Sequence, residues 1–180
     1  AAMTQMPEMI ALLHGCGALA SVFVGWSSYH VHGAPDLTNA ITLYLSIVIG
    51  GLTFTGSIIA WGKLSGRVPG TPILFTAQRL LNMALISAIL ILGVLFIMDP
   101  GRYDLFLIIL GLSVFFGIFL VIPIGGADMP VVISVLNSYS GIVACTTGFV
   151  IHNTLLIVVG SLVGANGIIL SIIMCKAGNR

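Results

Sequence analysis

His14, Asp128 and Asn137 are the residues whose chemistry is hardest to reconcile with the apolar stretches around them. His14 lies seven residues past Pro7, about 10 Å along a helix at the standard rise and therefore inside an apolar segment rather than at its edge. Imidazole exchanges protons near neutrality, and an ionisable group buried in a membrane helix is costly to keep without a use or a partner. Two readings stand side by side: an intramembrane proton-binding site, or a core histidine bonded to a backbone carbonyl or a serine. Gly17, Ser21, Gly25 and Ser28 recur at helical spacing on the same side, so His14 is expected on a buried bundle face where small residues admit a second helix.

Asn137 follows Asp128 by nine positions, about 13 Å deeper at the same rise. Ser134, Asn137, Gly141, Ala144 and Gly148 repeat every three or four residues and predict one polar, small-residue stripe. An amide offers donors and an acceptor but carries no proton charge at ordinary pH. Asn137 is thus either a relay or gate residue that faces His14 across the bundle, or one half of an interhelical packing bond. Ser134, Ser138 and Asn166 are secondary polar sites of the same kind, Asn166 being expected as a buried amide within the run Gly160 to Gly167. Asp128 precedes Met129-Pro130, and a carboxylate followed by proline suits the first turn of a helix. It is either that cap or a rim carboxylate that exchanges protons or meets a partner, with Gly125 and Gly126 permitting close approach.

The elements that must hold these residues are set by composition. Of the 180 residues 58% are hydrophobic and 6% charged, against about 25% charged in soluble domains, and the mean hydropathy is +1.19. Too few charges exist to cover a water-exposed surface, so the chain is expected to be an all-α integral membrane protein, a six-transmembrane-helix fragment of a larger helical bundle. The six apolar segments fall at about residues 7–29, 39–61, 78–98, 103–122, 129–151 and 154–175. Glycine and proline punctuate the connections, as in Gly66, Pro69, Gly70 and Pro72 and in Asp99-Pro100-Gly101. Gly50, Gly51, Thr53, Thr55, Gly56 and Ser57 make the centre of the second segment small and weakly polar, as close helix packing requires. Six spans place Lys63, Arg67, Arg79, Lys176 and Arg180 on one side and leave Arg102 on the other. The excess of positive charge puts the termini and Asp128 in the cytoplasm, and His30, His32, Asp99, Asp104 and His152 toward the opposite side.

Other chemistries find little support. The net charge of +1 and the absence of a basic run argue against nucleic acid. Cys16, Cys145 and Cys175 show no CxxC spacing, and no metal spacing links the histidines. The glycine-rich run after Gly160 lacks the strand-to-helix setting and lysine of a phosphate loop. Ala1 to Gln5 lacks the positive region of a signal peptide and is expected to be the edge of a longer chain.

A resemblance spans nearly the whole sequence. Gly125-Gly126-Ala127-Asp128-Met129-Pro130-Val131-Val132 with Val135-Leu136-Asn137-Ser138-Tyr139-Ser140-Gly141 resembles the membrane part of the proton-translocating NAD(P) transhydrogenase beta subunit. So do Met6-Pro7-Glu8 with Leu13-His14, Phe54-Thr55-Gly56-Ser57 with Gly62-Lys63-Leu64, and Met174-Cys175-Lys176-Ala177 with Asn179-Arg180. The resemblance implies an enzyme that transfers hydride between NADH and NADP⁺ while protons cross the membrane. It implies no cofactor bound by this stretch, NAD(H) and NADP(H) being held in separate soluble domains. The implied partners are an NAD(H)-binding domain or alpha subunit, an NADP(H)-binding domain, further transmembrane helices, lipid and a second copy in a homodimer. The implied location is the bacterial inner membrane, with the mitochondrial inner membrane as the alternative. The resemblance marks His14 and Asn137 as proton-pathway residues and Asp128 as the cytoplasmic end of that pathway or an interface with the NADP(H) domain. On this expectation His14 alternately takes up and releases a proton, Asn137 and a water connect it to one side at a time, and Asp128 communicates with the nucleotide domain. An ion channel or secondary transporter subunit, and a structural assembly module whose polar groups only lock helices, are the competing classes.

Overall fold

The computed structural model describes residues 6–32, 36–73 and 77–178. The expectations placed on residues 1–5, on the break at residues 33–35, on Asn179 and Arg180, and on the side chain of His32 lie outside the described residues. The chain is all-α: α1 (Met6–His32), α2 (Leu37–Leu64), α3 (Gln78–Met98), α4 (Tyr103–Val121), a short 3₁₀ turn (Gly126–Asp128), α5 (Met129–Val150) and α6 (Thr154–Ala177). All six helices are long and apolar enough to cross a membrane. At about 1.5 Å per residue even the shortest, α4, approaches the roughly 30 Å of a hydrocarbon layer.

Each boundary has a local cause. Gly66 takes a φ of +70° just past α2, a left-handed conformation that glycine adopts without a Cβ penalty. Pro130 stands in the first turn of α5, where its missing N–H is harmless. Asn153 separates α5 from α6 and accepts from the Leu156 amide at 3.1 Å, an N-cap that satisfies one orphan donor. His152, immediately before it, takes a φ of 53° to reverse the chain.

Packing places α2 at the centre, against α1, α4 and α5, with α3 outside α4 and α6 against α5. The small residues of α2 determine how close its neighbours come. Gly51 abuts Ser113, and Gly117 abuts Thr55 and the Leu52 backbone. Thr55 donates to Val114 O at 2.9 Å. On the α1 side, a Cβ on Gly50 would fall 2.7 Å from Val22 Cγ2. Apolar side chains gather at both ends of this small-residue waist. Tyr29, Leu43, Tyr44, Ile47, Ile89, Phe96 and Phe106 fill one end. Ala11, Ala60, Val121, Met129, Val132 and Leu136 fill the other. Leu80, Met98 and Leu155 illustrate the exposed hydrocarbon on α3 and α6 that a lipid phase covers.

Candidate functional site

α1 and α5 run side by side in the same direction, and His14 meets α5 at Ser140. His14 Nδ1 lies 3.3 Å from Ser140 Oγ, and Ser140 Oγ lies 2.8 Å from the Asn137 carbonyl. A hydroxyl has one proton to donate and two lone pairs to accept with. The shorter bond to the Asn137 carbonyl uses that proton, which leaves Ser140 Oγ to accept from Nδ1–H. In that arrangement the neutral ring carries its proton on Nδ1 and its lone pair on Nε2. His14 is half-buried and lies a third of the way along α1, against the middle of α5, where water is scarce and a protonated imidazole needs such a partner.

His14 and Asn137, expected to be connected through a water, are linked by Ser140. Ser140 touches His14, and Asn137 contributes its backbone carbonyl behind Ser140. Ser140 is the residue that reasoning from the sequence passed over. A signal existed: it stands one turn past Asn137, and at about 100° per residue it points well away from the Ser134–Gly141 face.

Ser134, Gly141 and Gly148 of the stripe expected on α5 face α6, while Ser140 lies on a second face toward α1. Ser134 donates to Gly167 O at 3.2 Å and Ser138 to Gly164 O at 2.8 Å. Both serines therefore stitch α5 to α6 and point away from His14. Gly141 and Gly148 share that seam, where a Cβ on Gly160 would reach Cys145 N at 2.5 Å and one on Gly167 would reach Ser138 N at 2.7 Å. Asn137 stands at the edge between the two faces and is half-buried. Asn166, expected as a buried amide, is exposed. The face of α6 that enters the seam carries Gly160, Gly164, Gly167 and Ser171, and two residues beyond Gly164 a side chain points about 200° away from it. Gly17, expected to be crowded by a neighbouring helix, has open space around it.

Two further hydroxyls lie near the site. Ser57 on α2 packs beside Gly15, the residue next to His14, with a Gly15 Cβ falling 3.2 Å from Ser57 Cβ. Its Oγ is buried without a hydrogen-bond partner among the described residues, as is Thr147 Oγ1 on α5. Leaving a buried hydroxyl unpaired costs about 1–3 kcal/mol.

Asp128 is remote from this cluster. Twelve residues separate it from Ser140, about 18 Å along the helix. It occupies the N-cap position of α5, yet its side chain makes no capping bond. The turn that carries it is fixed from two directions. Lys63, 5% exposed, donates to the carbonyls of Ile122 and Ile124 at 2.5 and 2.8 Å. Gly126 N donates to Gly70 O at 2.8 Å. Lys63 thereby satisfies carbonyls that the end of α4 leaves open. Arg67, the next basic residue, stacks on Trp61 at 4.6 Å.

The cluster can therefore hold and pass on a proton. The family model of the NAD(P) transhydrogenase beta subunit matches residues 1–180. The NAD(P) transhydrogenase subunit beta of Rhodospirillum rubrum, and that of a named strain of the same species, are each 41% identical over 186 residues, covering 99% of this chain. The chain spans about two-fifths of the length of these relatives, 40% in each case.

Proposed function

The chain belongs to the NAD(P) transhydrogenase beta subunit family, and from that premise we propose that it is the membrane module coupling proton translocation to hydride transfer between NADH and NADP⁺ in separate soluble domains. The observation that carries the proposal is the His14–Ser140–Asn137 connection between two packed helices. It joins an imidazole, which can take up and release a proton, to a hydroxyl relay, at a depth where an idle ionisable group would be costly.

In this reading His14 binds the translocated proton on Nε2 while Ser140 holds the ring through Nδ1–H. Asn137 positions Ser140 through its carbonyl, and its amide is available to orient a water. Asp128, on a turn braced by Lys63 and Gly70, faces the NADP(H)-binding domain and transmits the state of the proton site to it. The charge pattern puts the Asp128 end in the cytoplasm of a bacterial inner membrane or its mitochondrial equivalent. Coupling requires that proton occupancy and NADP(H) binding alter one another's free energy, and the two effects are equal by linkage. NAD(H), NADP(H) and the hydride chemistry belong to the soluble domains, which act with this module, additional helices and a second copy of the assembly.

A complete enzyme containing this module, reconstituted in sealed vesicles, tests the proposal. Imposing a proton gradient is expected to accelerate hydride transfer from NADH to NADP⁺, and collapsing it to remove the acceleration. Hydride transfer indifferent to the gradient would overturn the coupling role. Proton flux that runs without nucleotides would favour a stand-alone transporter.

A further inference from the structure

Three carbonyls around the end of α4 lack the donors that a continuing helix would give them, and residues from other elements take their place. Pro123 has no N–H to offer Phe119 O, four residues back. Gln78 Nε2, at the start of α3, donates there instead at 3.3 Å. Gly126 N would close on Ile122 O if α4 ran on, but it donates to Gly70 O. Asp128 N, the corresponding donor for Ile124 O, goes to Gly125 O at 3.0 Å. Lys63 Nζ donates to both carbonyls left behind, Ile122 O and Ile124 O.

Lys63 and Gly70 belong to one folded-back unit. Lys63 stands in the last turn of α2. Just beyond it Ser65 N donates to Trp61 O and Val68 N to Gly62 O, both at 2.9 Å. Val68 covers Gly62, where a Cβ would fall 2.9 Å from Val68 Cγ2. The loop after α2 is therefore tied to the helix end, and Gly70 follows two residues later. Lys63 and Gln78 are both buried, and a buried cation or amide is costly to part from its acceptors. In one direction this unit reaches the proton site. Ser57, six residues before Lys63 and about 9 Å away along α2, packs beside Gly15. In the other direction it borders a cavity of about 610 Å³, with Gly70, Thr71 and Pro72 on one wall and the Pro123–Asp128 turn on the other.

We infer that Lys63 is a positioning residue for Asp128. With Gly70 it clamps the turn to the end of α2, so that the turn and the cavity beside it follow α2, the helix that also touches the His14 level of α1. The inference rests on the reading of Asp128 as the contact with the NADP(H)-binding domain, and it adds the residue that places that carboxylate. Lys63 touches neither the nucleotide nor the translocated proton. It acts through the turn, by holding two carbonyls that would otherwise be free to close a further helical turn on Gly126 and Asp128.

The test uses the complete enzyme in sealed vesicles, with hydride transfer from NADH to NADP⁺ followed with and without an imposed proton gradient. Lys63→Met keeps the apolar stem and removes the donors. It is expected to raise the half-saturating NADP⁺ concentration about tenfold, the lower end for losing hydrogen bonds from a charged group, with a smaller change in the saturating rate. The gradient's acceleration is expected to fall with it. Asp128→Asn is expected to shift the same quantities, and the double variant to be no worse than the more impaired single one, because both changes act on one contact. Additive losses in the double variant would overturn the inference. So would a lowered midpoint of thermal unfolding with parent half-saturation and parent response to the gradient, the signature of a brace alone. If Lys63→Met does not assemble, Gly126→Pro reads the same clamp from the Gly70 side. Gly125 already has the extended φ of −71° and ψ of 157° that precede a proline, and proline suits the first position of a helical turn. The same shift in half-saturation is expected there, and parent values would overturn the clamp. If hydride transfer by the parent enzyme ignores the gradient, the function proposed above fails instead, so the two failures are distinguishable.

Discussion

At the scale of the residue, the argument turns on one hydroxyl. Ser140 is the only side chain that the structure bonds to His14 among the described residues, and it does so while anchored to the carbonyl of Asn137. When the imidazole is charged, Ser140 accepts from a cation in a place where water cannot substitute freely. Hydrogen bonds to charged groups contribute about 1.5–3 kcal/mol, or about ten- to a hundredfold in an equilibrium or rate. Ser140→Ala is therefore expected to slow proton-coupled hydride transfer in reconstituted vesicles by about that factor, while Ser140→Thr keeps most of the rate. Equal rates in the two variants would show that the contact is incidental. The types of His14 and Asn137 were legible in the sequence because ionisable groups and amides are rare in apolar helices. Their connection was not, because a serine in a membrane helix usually bonds its own backbone, as Ser21, Ser87 and Ser161 do here.

At the scale of the element, the six helices could be read from hydropathy and the turns from glycine and proline, since lipid leaves the chain few alternatives to helix. Which face meets which neighbour was harder to read. These helices are apolar nearly all round, so periodicity of hydrophobicity does not point to a core. The small residues supply the direction instead, though only where another backbone has arrived. Gly17 and Gly167 show the difference. Gly17 has nothing within 4 Å of a built Cβ, whereas Gly167 would meet Ser138 N and Cα at 2.7 and 2.8 Å. The latter atoms are backbone and cannot step aside without separating α5 from α6. Gly167→Ala is expected to destabilise the chain by about 1–3 kcal/mol, the usual cost of overpacking, seen as a lower midpoint of thermal unfolding in detergent. Gly17→Ala is expected to leave that midpoint unchanged or slightly raised, because alanine is the better helix former. Equal destabilisation of the two would contradict the packing described for α5 and α6. Asn166 illustrates the same limit from the other side. Its amide suggested burial, yet the glycine face of α6 turns it outward.

At the scale of the whole molecule, chemistry and contact are separated along the bundle. The His152 end carries a partly polar cavity, His14 lies between the two ends, and the Asp128 end is braced by Lys63 and carries a largely apolar cavity of about 230 Å³ bordered by Asp128, Leu136 and Tyr139. A coupled device requires that the two ends reach the proton site at different times. A proton site open to both faces at once would leak, and one that never reached the Asp128 end would do no work on a nucleotide domain. Everything in this arrangement depends on the translocated proton residing on His14. The most direct measurement is proton translocation and hydride transfer followed together in sealed vesicles containing the complete enzyme with His14→Ala. The expected result is loss of proton translocation and of the gradient's hold on hydride transfer, with the nucleotide domains still folded and binding. Translocation at the parent rate, still tightly coupled to hydride transfer, would contradict the central claim.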